Sequence, residues 1–407
     1  MKSLMTFNFF STFNARNIAL TNFLFLFFNA LTSFFVYIYW DTLEAFLYFT
    51  ALASSGVIVG GISPEFLYFC AKKEERGFVY KYIHFKDNKF NLLVFLLFSL
   101  AIASLYYQLS ITDSFAPYLL LLTISSIEIL SIVIRGNIFS GASEDPQQII
   151  LRVLIVRSLL FSTVLFNDLF LFITFQLVTL IVLTYVMKKS FSCKMVLSDS
   201  DRHRSEGNGT LFQGITAGLA SLIFPLINGL IINSSQVSLA FINTLNILIR
   251  INNLLFTFIK SYLQASLIQE IKSILQGRFI ILFISTLLLS YYYIVGSQNL
   301  RSAEILSLSV IFYAPLISNI SKLKVQEEIF STNMKGVQSI SSVLFSIYIL
   351  ITIVMIEDFE ASLMFLLIGW SIFCFYWVLP INKISQNSRI YAFFGGASIL
   401  CLYLIQI

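Results

Sequence analysis

The stretch NTLNILIRINNLLF, residues 243–256, sets a guanidinium, Arg250, in the middle of a run that otherwise has the character of a lipid-facing helix. Followed through the whole apolar segment, Asn243, Asn246, Arg250, Asn253, Thr257, Lys260 and Gln264 succeed one another at steps of three and four residues, which keeps all seven on one helical face. A polar stripe of that length cannot face hydrocarbon, where each unsatisfied group costs several kcal/mol. Snorkelling accounts poorly for Arg250, which is ten residues from Lys260, roughly 15 Å at the helical rise. The stripe therefore predicts a helix inside a larger bundle. Its polar face meets either a structural network on neighbouring helices or a hydrated cavity that receives a substrate.

The rest of the chain supplies that bundle. Of 407 residues, 57% are hydrophobic and 12% charged, against about 25% charged in ordinary soluble domains. The composition is that of an all-α integral membrane protein. Two histidines, His84 and His203, leave little for metal or acid–base chemistry. Cys70, Cys193, Cys374 and Cys401 show no metal-ligand spacing and are expected to be reduced. The start MKSLMTFNFFSTFNAR has no small-residue cleavage site, so the first apolar run is expected to remain as a helix.

Segments of about 20 apolar residues are long enough to span a bilayer. They fall at 17–40, 43–70, 90–110, 116–135, 149–167, 168–187, 210–232, 236–262, 278–296, 303–323, 337–356 and 360–380, with 391–407 as a short thirteenth candidate. Pro64 is expected to kink the second span. With the N-terminus inside, basic residues collect in the inner connections: Lys72, Lys73, Arg76, Lys81, Lys86 and Lys89 in the first, and Lys188, Lys189, Lys194, Arg202 and Arg204 in the third. Outer connections carry Arg301 as their one basic residue, with Asp41, Asp113, Asp168, Glu357, Asp358 and Glu360. That is the positive-inside distribution.

The most polar connection divides the chain. Residues 1–187 form an N-terminal six-helix bundle, 188–209 a cytoplasmic linker, 210–380 a C-terminal six-helix bundle and 381–407 a C-terminal segment. Paired halves of equal span number are the layout of duplicated transporters with a site between them. There is no GxxxxGK[ST] nucleotide loop and no external domain to hold an active site.

Other intramembrane polar groups lie in the first half. The fourth span sets Ser125, Glu128, Ser131 and Arg135 on one face, and Arg157 of the fifth reaches a depth similar to that of Glu128. A Glu128–Arg157 ion pair is expected; ion coupling through Glu128 is the functional alternative. The first span adds Asn22, Asn29 and Ser33, with Arg16 at its inner mouth. In the seventh, Gly214 and Gly218 predict close helix packing, and Pro225 with Pro64 offers bending points.

NFLFLFFNALTSFF (22–35), RGNIFSGASEDPQQIILRVLIVRSLL (135–160) and LIRINNLLFTFIKSYLQASLIQEI (248–271), with the six-plus-six layout, resemble the polysaccharide (O-antigen, Wzx-type) flippases of the multidrug/oligosaccharidyl-lipid/polysaccharide exporter superfamily. The similarity covers about residues 10–385. The resemblance implies a MATE-like fold of two six-helix bundles around a central cavity; 391–407, the candidate extra C-terminal helix, departs from that twelve-span pattern. It implies a flippase, not an enzyme, of the bacterial inner membrane, passing undecaprenyl-pyrophosphate-linked oligosaccharide units by alternating access. It needs no cofactor beyond a proton or sodium gradient. Its partners would be the lipid-linked substrate, membrane lipids and other polysaccharide-assembly membrane proteins, with no nucleic acid. On that reading Arg250, aided by Lys260, Arg16 and Arg157, holds the anionic head, Asn243, Asn246 and Asn253 meet sugar, and Asn22, Asn29 and Thr257 are further substrate-binding candidates. Two rivals remain. A multidrug or cation exporter of the same superfamily would favour acids in the cavity, and a membrane polysaccharide polymerase or ligase would need a large external loop.

Overall fold

The computed structural model describes residues 15–71, 88–109, 113–139, 146–190, 207–234 and 237–250, with single residues and short runs between 254 and 369. This described part is 92% helical, with no strand. In order come α1 (Ala15–Tyr39), α2 (Thr42–Ala71), α3 (Asn88–Gln108), α4 (Ala116–Phe139), α5 (Pro146–Thr163), α6 (Leu169–Ser190) and α7 (Gly207–Asn233), then α8 (Leu239–Arg250). The first seven expected spans fall on α1 to α7 with ends within four residues. Two stretches, Thr42–Ile62 and Asn91–Gln108, are long and apolar enough to cross a membrane.

Apolar chain of this kind folds as helix because the helix satisfies its backbone groups within the segment. The connections are equally local. After α5, a 3₁₀ turn at Val164–Phe166 ends on Asn167 in the left-handed conformation, φ 51°, a region asparagine enters more readily than most residues. Asp168 then caps α6, its Oδ1 accepting the N–H groups of Phe170 at 2.9 Å and Leu171 at 3.0 Å. An Asn-Asp pair thus makes the reversal, and α5 stops four residues short of the expected 167. The helix α2 is continuous past position 64, from Thr42 to Ala71.

Helix α2 is the centre of the bundle. It packs on α7, α4, α3 and α1, while α6 closes the far side against α4 and α5. Phe46 and Phe49 of α2, Leu93 and Leu97 of α3 and Phe172 of α6 are fully buried between them. Outward faces are apolar too: Leu92, Phe95, Ile102 and Tyr106 on α3, and Phe170, Val178, Ile181 and Tyr185 on α6 are exposed. Exposed apolar stripes at helical spacing on separate helices suit hydrocarbon better than water.

The α2–α7 contact rests on small residues. A Cβ added at Gly214 would stand 2.7 Å from the Gly61 carbonyl oxygen, and one at Gly218 would stand 3.3 Å from that of Val57. These neighbours are backbone atoms, which cannot swing aside. The close packing expected of Gly214 and Gly218 is therefore real, and its partner is the Gly60–Gly61 pair on α2.

The turns α1–α2, α3–α4, α5–α6 and α7–α8 share one end of the bundle. There the Trp40 indole N–H donates to the Val164 carbonyl at 3.1 Å, and Asp41, Asp113 and Asp168 are exposed. This is the acidic end. Residues 191–206 of the linker expected at 188–209, and the spans expected at 278–296, 303–323 and 391–407, lie outside the described residues, apart from Glu304.

Candidate functional site

Near the middle of the bundle three helices contribute to one polar network. Asn29 comes from α1, Glu128 and Ser131 from adjoining turns of α4, and Arg157 from α5. One Arg157 terminal nitrogen, Nη2, donates to Glu128 Oε1 at 2.8 Å and to Ser131 Oγ at 2.7 Å. The other, Nη1, donates to Asn29 Oδ1. Asn29 completes the ring by donating Nδ2 to the same Glu128 oxygen at 2.8 Å. Both charges are deeply placed, Arg157 at 5% and Glu128 at 15% side-chain exposure. The ion pair expected from helix depth forms, and Asn29, read from the sequence as a substrate-binding candidate, is one of its supports.

Arg250 approaches this network from the opposite direction. It is eleven residues into α8 from Leu239 at the acidic end, about 16 Å. Arg157 is eleven residues into α5 from Pro146 at the other end, and both arginines lie within Coulombic range of Tyr48. The partly buried Arg250 side chain lies within Coulombic range of Glu128 and Tyr48. Tyr48 is buried on α2, its hydroxyl 3.3 Å from Ser33 Oγ, and within Coulombic range of Glu128 and Arg157 as well. Two guanidiniums and one carboxylate leave an excess of one positive charge among these three residues. In a low-dielectric interior such an excess favours an anion.

The amides of the α8 stripe hold helices together. Asn243, 3% exposed, donates Nδ2 to the Thr42 carbonyl at 2.9 Å, tying α8 to the start of α2. Asn246 donates to the Ile242 carbonyl at 3.0 Å and accepts from Asn228 Nδ2 of α7 at 3.1 Å. Asn253, Thr257 and Lys260 lie outside the described residues. Arg16 and Asn22 fall on α1 with their side chains outside them.

Tyr48 has a place at this site that the sequence reading lacks. The available signal was its phenol within the hydroxyl-bearing YFTALASS run (48–55) of an apolar helix, near Ser33 on the preceding helix. A second polar group joins α2 and α3, where Ser104 Oγ donates to Ser54 Oγ at 3.2 Å. Among the described residues no group of three or more His, Cys, Asp or Glu side chains could hold a metal ion. Comparison of the chain with protein-family models, with curated proteins and with solved structures finds no match to any of them.

Proposed function

We propose that this chain is a multi-pass translocator with a MATE-like arrangement of two six-helix bundles, moving undecaprenyl-pyrophosphate-linked oligosaccharide across a bacterial inner membrane by alternating access. The observation that carries the reading is the position of Arg250. It lies within Coulombic range of a carboxylate already paired with Arg157, so it contributes charge that the Glu128–Arg157 ion pair does not need. A guanidinium at that depth can bind a pyrophosphate bidentately. The apolar outer faces of α3 and α6 and the basic-inside, acidic-outside distribution of charge support the membrane placement.

Within this reading Arg250 binds the anionic head, with Lys260 and Arg16 as further cations. Arg157 sets the position of Glu128 and, through Asn29, of α1. The lipid tail remains in the bilayer while the head crosses between the halves. Alternation would pivot on α2 and α7, which carry Pro64 and Pro225 away from their ends and whose backbones touch along the glycine seam. A proton or sodium gradient supplies the drive.

Deleting the gene in its host and labelling lipid-linked sugars on each side of the inner membrane tests the assignment. Single repeat units should accumulate on the cytoplasmic side, and Arg250→Ala at normal protein level should reproduce that accumulation. Single units on the outer side would mean that translocation still runs and polymerisation has failed, assigning the chain to an enzyme of chain assembly.

A further inference from the structure

A cavity of about 520 Å³ opens at the acidic end, where the last turn of α1 and the first turns of α2 and α8 meet. It lies well away from Arg250, at the opposite end of the described α8. Its walls include Tyr37, Trp40, Asn243, Thr244 and Glu304. The volume is within the range of sites that enclose small organic ligands.

The lining has a definite chemical bias. Tyr37 offers an exposed ring, and its hydroxyl meets Thr244 Oγ1 at 3.0 Å across the cleft. Asn243 has its Nδ2 committed to Thr42, but its buried Oδ1 has no hydrogen-bond partner. Such an orphaned acceptor costs free energy until a donor reaches it. Glu304 adds a carboxylate, and none of the described lining residues is cationic. Among the described lining residues there is a carboxylate and no counter-cation for phosphate, and their hydroxyl, amide and ring groups suit a neutral ligand rich in hydroxyl donors, with an aromatic face for its C–H surface.

We propose that this cavity is a saccharide subsite at the acidic end, distinct from the anion site at Arg250, with Asn243 Oδ1 and Thr244 hydrogen-bonding sugar hydroxyls against the Tyr37 ring. The inference rests on the flippase reading for its biological meaning and divides the substrate between two stations. Arg250 takes the anionic link at mid-depth. The outer cavity takes the glycan once it has emerged. Hydrogen bonding to sugar at the exit helps to keep the head from falling back.

The test is a binding measurement on purified full-length protein in lipid nanodiscs, independent of any export assay. In a Trp370→Phe/Trp377→Phe background, Trp40 is the remaining tryptophan and reports on the cavity it lines. Maltose, lactose and N,N′-diacetylchitobiose should each be titrated through the millimolar range, with inorganic pyrophosphate as the anionic probe. The expected result is a saturable change in Trp40 emission with at least one sugar and none with pyrophosphate. Ala240→Phe, which fills the cavity from an exposed wall position, should weaken the sugar response at least about tenfold, and Thr244→Val should weaken it less. The proposal is overturned if no sugar gives a saturable response, if the response survives both substitutions unchanged, or if pyrophosphate saturates the same signal. Failure of the export test with sugar binding intact would remove the flippase reading and leave the subsite standing; the reverse result would remove the subsite alone.

Discussion

Arg157 and Arg250 lie near the same carboxylate, Glu128, on different helices, yet their surroundings give them different work. Arg157 is buried against a carboxylate, a hydroxyl and an amide oxygen, each on a different turn or helix, so its charge is balanced and its geometry fixed. Arg250 is less buried and shares Glu128 only at Coulombic range. A charge satisfied within its own bundle is a structural fastening. A charge left over beside such a fastening is available to a ligand. Sequence position alone could not separate the two, because both read as a lone arginine in an apolar run.

The contrast is broken most directly at Glu128. Replacement by Ala removes the acceptor of both Arg157 and Asn29 and leaves a buried guanidinium short of its counter-charge. The expected cost is about 3–5 kcal/mol, read as loss of monodisperse protein on size-exclusion after mild heating. Glu128→Leu combined with Arg157→Met removes both charges and should recover most of that loss, since an apolar pair of similar volume is often as stable as a buried ion pair. If the double variant is no better than Glu128→Ala, the network holds the bundle by something other than charge balance.

At Arg250 the pattern should reverse. Arg250→Met is expected to leave thermal stability near that of the parent, because no ion pair is lost, while export of lipid-linked sugar falls roughly 10- to 100-fold, the weight of one charge-assisted contact. Arg250→Lys should restore only part of the export, since an ammonium cannot grip a pyrophosphate bidentately. A variant that exports normally but unfolds early would move Arg250 into the structural class beside Arg157.

A smaller effect is expected at Asn246. Asn246→Leu leaves the Asn228 amide buried without its acceptor, at about 1–3 kcal/mol, seen as a lower melting temperature in detergent with export per folded molecule unchanged. Selective loss of export would show that the amide meets substrate. The sequence marked both asparagines by their period and left two roles open. The structure assigns Asn246 a partner on α7 and Asn243 a partner on α2. Periodicity identifies the polar face of a helix, but a three- or four-residue repeat carries nothing about the neighbour across the gap. For the same reason helix order and ends were legible from hydropathy and turn residues. So was the Glu128–Arg157 pair, from helical rise alone. Tyr48 was not, because its place beside Arg250 depends on how α2 and α8 cross. The acidic-end cavity likewise depends on a three-helix junction distant in sequence.

The smallest expected effect has a sign that depends on which glycine of the α2–α7 region is changed. Gly56 and Gly214 both lie within helices, where alanine is intrinsically preferred by about 1 kcal/mol. At Gly56 a Cβ meets nothing within 4 Å. Gly56→Ala should therefore raise the melting temperature slightly. At Gly214 the Cβ would stand 2.7 Å from the Gly61 carbonyl oxygen, so Gly214→Ala must push two backbones apart. Overpacking of that kind costs about 1–3 kcal/mol, which exceeds the propensity gain and lowers the melting temperature. Two identical substitutions with opposite signs would make the backbone contact between α2 and α7, and not helix propensity, the reason glycine stands at 214. Equal signs would mean that the two helices can separate at that point without loss, and the seam could not then serve as the pivot on which alternating access turns.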